Sequence, residues 1–316
     1  MLAARFASGH ARDRRGPRGP TDPPGRSRTP RVSIGMPVYN GERFVGQALD
    51  SLVAQTFTDL EIVISDNASD DGTAAICTEY ARRDARIRYV RSARNVGLAK
   101  NFQRVVALST GHYFKLANAD DLCSPDLVAR CVEVLDRDPE VVLCYGKTTL
   151  IDGEGRTLRP YEDRLGLVSS SVTERFRQVL DRVGLVNVLQ GVMRAEALRR
   201  TALIESYLGA DMVLVVELAL HGRFHELPER LFRRRIHDQA FSTRVHEDQQ
   251  ALWEPQARRR IELYLWRHYL GYLRAIARTP LPSTTKLRLA AVVARRSIAA
   301  RGALARELVG GLGARR

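Results

Sequence analysis

Tyr113-Phe114-Lys115-Leu116-Ala117-Asn118-Ala119-Asp120-Asp121 is the stretch that decides the fold. Its apolar run stops abruptly at Asn118, Asp120 and Asp121, the texture of a buried strand whose carboxyl end opens into a polar crevice. Adjacent carboxylates at such an edge repel each other. A hard cation such as Mg2+ or Mn2+ relieves the repulsion, because it takes oxygen ligands from one or two carboxylates and completes its shell with substrate phosphates. Taken alone, Asn118 to Asp121 reads better as a turn before the helix that Ser124-Pro125 starts. The sequence around it decides between the two.

Upstream, the same pattern occurs three more times. Val32-Ser33-Ile34-Gly35-Met36-Pro37-Val38 ends in Tyr39-Asn40, and residues 43–55 repeat apolar positions at helical spacing. Leu60 to Ser65 breaks into Asp66-Asn67-Ala68-Ser69-Asp70-Asp71-Gly72-Thr73, followed by a helix over 74–84. Ile87 to Val90 leads through Asn95 and Gly97 to a helix over 98–109. Strands alternating with helices of this length give an α/β chain with an open, mostly parallel, doubly wound sheet, whose strand ends converge on one crevice. A tyrosine at such an edge can stack on a base, and Asp66 can accept from a ring N–H, as a pocket for a pyrimidine nucleotide requires. G-x-G-x-x-G and G-x-x-x-x-G-K-[ST] are both missing after these strands, which disfavours a nicotinamide or flavin enzyme and a P-loop.

The formal net charge of +14 sits at the two ends of the chain: residues 1–30 carry +5 and residues 255–316 carry +12, so the body is nearly neutral. The Pro/Gly/Arg-rich residues 1–30 read as a disordered basic leader. The Arg-rich residues 244–316 read as a helical extension, with helices over 257–278 and 284–308. There Arg258, Arg259, Arg260 and Arg267 stand beside Leu263, Tyr264, Leu265, Trp266, Tyr269 and Leu270, a mix that suits peripheral contact with an anionic membrane. No aromatic-basic recognition module supports nucleic acid as a partner. Cys77, Cys123, Cys131 and Cys144 form no C-x-x-C pair and read as packing residues of a reducing compartment. With no apolar run of about 18 residues and no secretory h-region, the expected location is the cytoplasm or the inner face of its membrane.

Four segments together resemble glycosyltransferase family 2: Pro37-Val38-Tyr39-Asn40, Ser65 to Thr73, Asn95-Val96-Gly97-Leu98-Ala99-Lys100-Asn101 and Asn118-Ala119-Asp120-Asp121. The resemblance covers residues 31–243 and implies the GT-A fold, with a nucleotide-binding half (31–125) and an acceptor half (126–243). It also implies an inverting transfer from a nucleoside-diphosphate sugar, most simply a UDP-sugar, to an acceptor hydroxyl of a glycan, lipid-linked saccharide or metabolite. Pro37, Tyr39, Glu42 and Asp66 would then hold the nucleoside, with Asn40, Asn95, Gly97, Lys100 and Asn118 on the donor side. Asp120 would be the metal-binding end of a D-x-D element, with Asp121 beside it. Two segments depart from the family pattern: Ser65-Asp66-Asn67-Ala68 keeps only the second acid of the usual Asp-Asp-Gly-Ser, and Asn118 stands where an acid is usual.

Downstream, Asp152-Gly153-Glu154-Gly155 marks a tight turn. Val188 to Met193 reads as a strand, and the runs 224–227 and 231–236 as two more. Asp211 opens a helix and resembles the family's catalytic base, taking the proton of an acceptor hydroxyl; a plain helix cap is the competing reading. Arg235-Ile236-His237 resembles the segment that follows the base, placing Arg235 at the diphosphate and His237 in the metal shell. A sugar-phosphate nucleotidyltransferase would want a Gly-rich basic loop after the first strand, and Pro37 to Glu42 has none. A non-catalytic nucleotide-sugar-binding module is the other alternative, motivated by Asn118 and the lone Asp211.

Overall fold

A computed structural model describes residues 29–238, 240 and 263–313. The expected leader falls almost wholly outside these residues, as do Arg258, Arg259 and Arg260. Strands β1 (Val32–Val38), β2 (Leu60–Asp66), β3 (Ile87–Arg91) and β4 (Tyr113–Leu116) alternate with helices α1 (Val45–Val53), α2 (Thr73–Arg83) and α3 (Leu98–Leu108). β2 is buried along its whole length, because its β-branched run meets a hydrophobic layer on both faces. The one acid inside that run, Glu61, accepts from Ser33 Oγ at 2.6 Å and Thr110 N at 2.9 Å, which makes its burial tolerable.

The chain then forms β5 (Leu122–Cys123), α4 (Leu127–Arg137), β6 (Val141–Ile151), β7 (Thr157–Tyr161), α5 (Val172–Arg182), β8 (Val192–Arg194), α6 (Ala195–Arg199), α7 (Ala210–His221) and β9 (Arg223–Arg235). The sheet runs β3-β2-β1-β4-β8-β6-β9-β5, with β7 paired to β6. Its β3-β2-β1-β4 half is parallel, and beyond β4 antiparallel pairings join in through β8, β7 and β5. The register sets Val38 level with Asp66 and Asp66 level with Arg91, so the loops after β1, β2 and β3 leave the sheet at one edge.

Two local readings change. The single strand expected over Val188–Met193 is a 3-10 turn, Asn187–Gln190, followed by the short β8. The chain lies so close to β6 there that a Cβ on Gly191 would stand 2.2 Å from Cys144 O. The two strands expected over 224–236 are one, β9, whose register against β6 jumps between Leu227 and Arg230; Pro228 has no N–H to give the ladder.

Helices α8 (Tyr264–Arg278), α9 (Ser283–Ala299) and α10 (Arg301–Gly313) close the chain, with the break expected near Pro280 and Pro282 in place. Tyr272, Ala275, Ile276, Leu289, Val292 and Val293 enter the same hydrophobic cluster as α5 and α7. The extension is therefore part of the core.

Candidate active site

The loops at the sheet edge are laced together before any ligand arrives. Asn40, held at φ 50°, accepts from Asp70 N at 3.0 Å, and its own N–H reaches Ser69 Oγ at 3.0 Å. Glu42 accepts from Gly72 N at 2.6 Å while its N–H donates to Asp71 at 3.0 Å. Asn67 donates to Asn95 Oδ1 at 2.7 Å and accepts from Val96 N at 2.9 Å, which fixes the turn into α3. Gly97 opens that helix at φ 89°, a backbone angle that glycine adopts without strain.

These loops border a crevice of about 510 Å³. Pro37, Tyr39, Asn40, Asn95, Asn118, Asp120, Asp121, Asp211, Arg235 and His237 all line it. Residues far apart in the sequence, from Pro37 to His237, thus share one cavity. Tyr39 is 38% exposed there, an aromatic face open to a ligand. Glu42, Asp66, Gly97 and Lys100 do not line it. Asp66 is fully buried, with Oδ1 accepting from Ser69 N at 2.9 Å and Oγ at 2.6 Å, and Oδ2 from Tyr89 OH at 2.6 Å. In this arrangement it braces the loop after β2, Glu42 ties the loop after β1 to Gly72, and Gly97 N donates to Asn95 Oδ1 at 2.9 Å. Lys100 lies exposed on α3.

Asp120 and Asp121 point to different tasks. Asp121 is buried, its Oδ1 accepting from Arg235 N at 2.8 Å and its Oδ2 from Asn118 Nδ2 at 2.8 Å. Burial and the neighbouring Asp120 charge push its carboxyl well above the usual carboxylate range. Asp120 instead meets His237, whose Nε2 stands 3.1 Å from its Oδ2, and the His237 ring packs on Phe44 with centroids 4.6 Å apart. Among the described residues no group of three or more acidic, His or Cys side chains gathers as a ready-made metal site. One carboxylate and one imidazole facing an open crevice nonetheless fit a divalent cation whose remaining ligands are substrate phosphate oxygens.

Arg235 is almost wholly buried, and its donors are committed to the protein. Nε reaches Asp120 O at 2.9 Å, Nη1 reaches Gly153 O at 2.8 Å, and Nη2 reaches Gln47 Oε1 at 2.8 Å. It shapes the loop that presents Asp120, while Arg43 and Arg234, neither singled out from sequence, also line the crevice. Asp211 lies in the first turn of α7, where Gly209 occupies the cap position, so it is not the cap itself. Its Oδ1 accepts from Met212 N at 2.9 Å. Burial raises its pKa, with Met212 N–H and His268 opposing, which moves a carboxylate toward the basicity a proton acceptor needs. Asn67, Asn101, Asn187 and Gln190 line the crevice as well. A signal for the last two exists in the sequence: polar residues three apart inside the apolar run Val186 to Met193.

A parallel half-sheet whose loops border such a crevice, with a mixed second half whose segments add an acid and a histidine, defines a GT-A glycosyltransferase. The family pattern "Glycosyl transferase family 2" matches residues 33–205, and the chain belongs to that family. Among curated relatives, chondroitin synthase of Escherichia coli is 31% identical over 160 residues, 49% of this chain but only 23% of that protein. Among solved structures, residues 1–349 of TarS from S. aureus in complex with UDP superpose with a TM-score of 0.60 at 14% identity, covering 85% of this chain and 72% of that one. The mannosyltransferase PcManGT from Pyrobaculum calidifontis, in complex with GDP-Man and Mn2+, gives 0.53 at 18% identity, covering 91% and 81%. The solved structures carry the fold.

Proposed function

We propose that this protein transfers one sugar, with inversion, from a UDP-sugar to a hydroxyl of a glycan, a lipid-linked saccharide or a metabolite. The observation that carries the reading is the presence of Asp120 and Asp211 on one crevice, although they lie far apart in sequence. Pro37, Tyr39, Asn40 and Asn95 border the end assigned to the nucleoside. Asp120 and His237 would hold Mg2+ or Mn2+ on the diphosphate, where the cation neutralises charge on the leaving group. Asp211 takes the acceptor's proton as its oxygen bonds to the anomeric carbon, and the bond to phosphate breaks with its electron pair leaving on UDP. Attack opposite the leaving group inverts that carbon. The UDP and the Mn2+ described for the two structural neighbours are consistent with this assignment.

Two substitutions test it. Asp211→Asn is expected to lower transfer by at least about 100-fold, the usual worth of a general base, while UDP affinity by calorimetry stays unchanged. Asp120→Ala is expected to abolish transfer and to weaken UDP binding in Mn2+ far more than in EDTA. Turnover retained by Asp211→Asn removes the base assignment.

A further inference from the structure

One wall of the crevice has no role in the chemistry above. The 3-10 turn Asn187–Gln190 packs on β4 and β6, which holds Gln190 beside the strand that leads to Asn118 and Asp120. Gln190 is 6% exposed, and the apolar Leu98, Phe102, Leu116, Leu189 and Ile204 line the same crevice. Its Oε1 is buried and meets no donor among the described residues. The neighbouring amide is occupied: Asn187 Oδ1 accepts from Arg234 at 2.8 Å and Nδ2 donates to Asp163 at 3.4 Å. A buried amide oxygen without a donor weakens a fold unless a ligand supplies the hydrogen.

The backbone on both sides of this wall is held in an unfavourable shape. Val186 and Leu203 sit at φ 61° and 58°, in the left-handed region that branched and bulky side chains avoid. Arg234 braces one side through Leu185 O at 2.6 Å, and Gln103 Nε2 braces the other through Ile204 O at 2.8 Å. Such strain persists where the surroundings over-determine it, commonly at ligand sites.

We propose that Gln190 and this apolar wall form the pocket for the transferred sugar, with Oε1 accepting a hydrogen bond from one ring hydroxyl. The apolar side chains cover the C–H faces of the pyranose, and the single acceptor reads whether a hydroxyl points at it. The inference rests on the proposed function, since the transferred sugar must lie in the crevice that holds both Asp120 and Asp211.

Calorimetric titration with UDP, UDP-glucose, UDP-galactose, UDP-N-acetylglucosamine and UDP-N-acetylgalactosamine, in Mn2+, compares the wild type with Gln190→Leu and with Gln190→Met as a second variant. The wild type is expected to favour one sugar over its C4 epimer by about 10–100-fold, the discrimination a buried hydrogen bond supplies. Both variants are expected to bind UDP as the wild type does and to lose that preference. Without ligand, Gln190→Leu is expected to melt about 2–4 °C higher, because an unpaired buried amide is gone. A preserved sugar ranking in the variants, no preference in the wild type, or a lowered melting point, which would mean that Oε1 serves the fold, overturns the pocket. A wild type that binds neither UDP nor any of the four sugars overturns the proposed function itself, and the pocket with it.

Discussion

Asp120 and Asp121 share a peptide bond and end in opposite environments. Read from sequence they form one ion-binding pair, yet Asp121 turns inward to hold Arg235 N and Asn118 Nδ2, leaving Asp120 to face the crevice with His237. What separates them is β9, whose Arg235 arrives from 114 residues away, and local spacing carries no trace of that. A second buried acid makes a pH prediction. Asp163 is 5% exposed, accepts from Thr148 Oγ1 at 3.0 Å, and is pushed up by burial to about 6. An unfolded aspartate ionises near about 3.9, so in the window between that value and about 6 the folded state keeps a proton the unfolded chain has released. Stability therefore falls as pH rises through that window and levels off above it, by on the order of 3 kcal/mol. Asp163→Asn removes the falling slope, so urea midpoints of variant and wild type should agree at low pH and diverge in the variant's favour at pH 7. Parallel curves across the range would rule out Asp163 as the source.

At the scale of elements, β1 to β4 and their helices were legible because each unit announces itself within some thirty residues: an apolar run, a polar break, then helical spacing. Motif residues at those breaks were legible for the same reason. The insertion of β8 between β4 and β6, and the pairing of β5 with β9, were not, since each depends on a partner distant in sequence. Nor did the sequence reveal that the extension reaches the turn carrying Asp211. Gly209, at φ 79°, has no room for a Cβ, which would stand 2.3 Å from His268 Nε2 on α8. That nitrogen lies 3.1 Å from Gly209 O, while Nδ1 lies 2.9 Å from Tyr264 O. Through these two contacts the ring ties the turn that opens α7 to the first turn of α8. His268 is thus a positioning residue for the turn that opens α7. His268→Ala is expected to lower kcat about 10-fold, the effect of one such hydrogen bond, with UDP affinity unchanged. Equal kcat in variant and wild type would separate α8 from the chemistry.

Across the whole molecule, charge and exposed apolar surface coincide at one end of the chain. Leu270, Leu273, Leu287, Ile298, Leu308 and Val309 are exposed on α8, α9 and α10, beside exposed Arg274, Arg288, Arg295, Arg301 and Arg306. On α9, Leu287, Ala291 and Ile298 recur at helical spacing on the exposed side, while Leu289, Val292 and Val293 face the core. None of the described helices is long and apolar enough to cross a membrane. An apolar stripe flanked by arginines suits shallow insertion among anionic headgroups, each basic residue adding about 1 kcal/mol near the surface. Sedimentation with phosphatidylserine-containing vesicles is expected to carry down the full chain, with neutral vesicles or high salt releasing it. The pair Leu287→Glu and Ile298→Glu, both at exposed positions, should leave the fold intact and cut the bound fraction about 10-fold or more, since apolar area and local positive charge are lost together. Equal partitioning of the doubly substituted chain and the wild type, on both kinds of vesicle, would show that this face has no affinity for lipid.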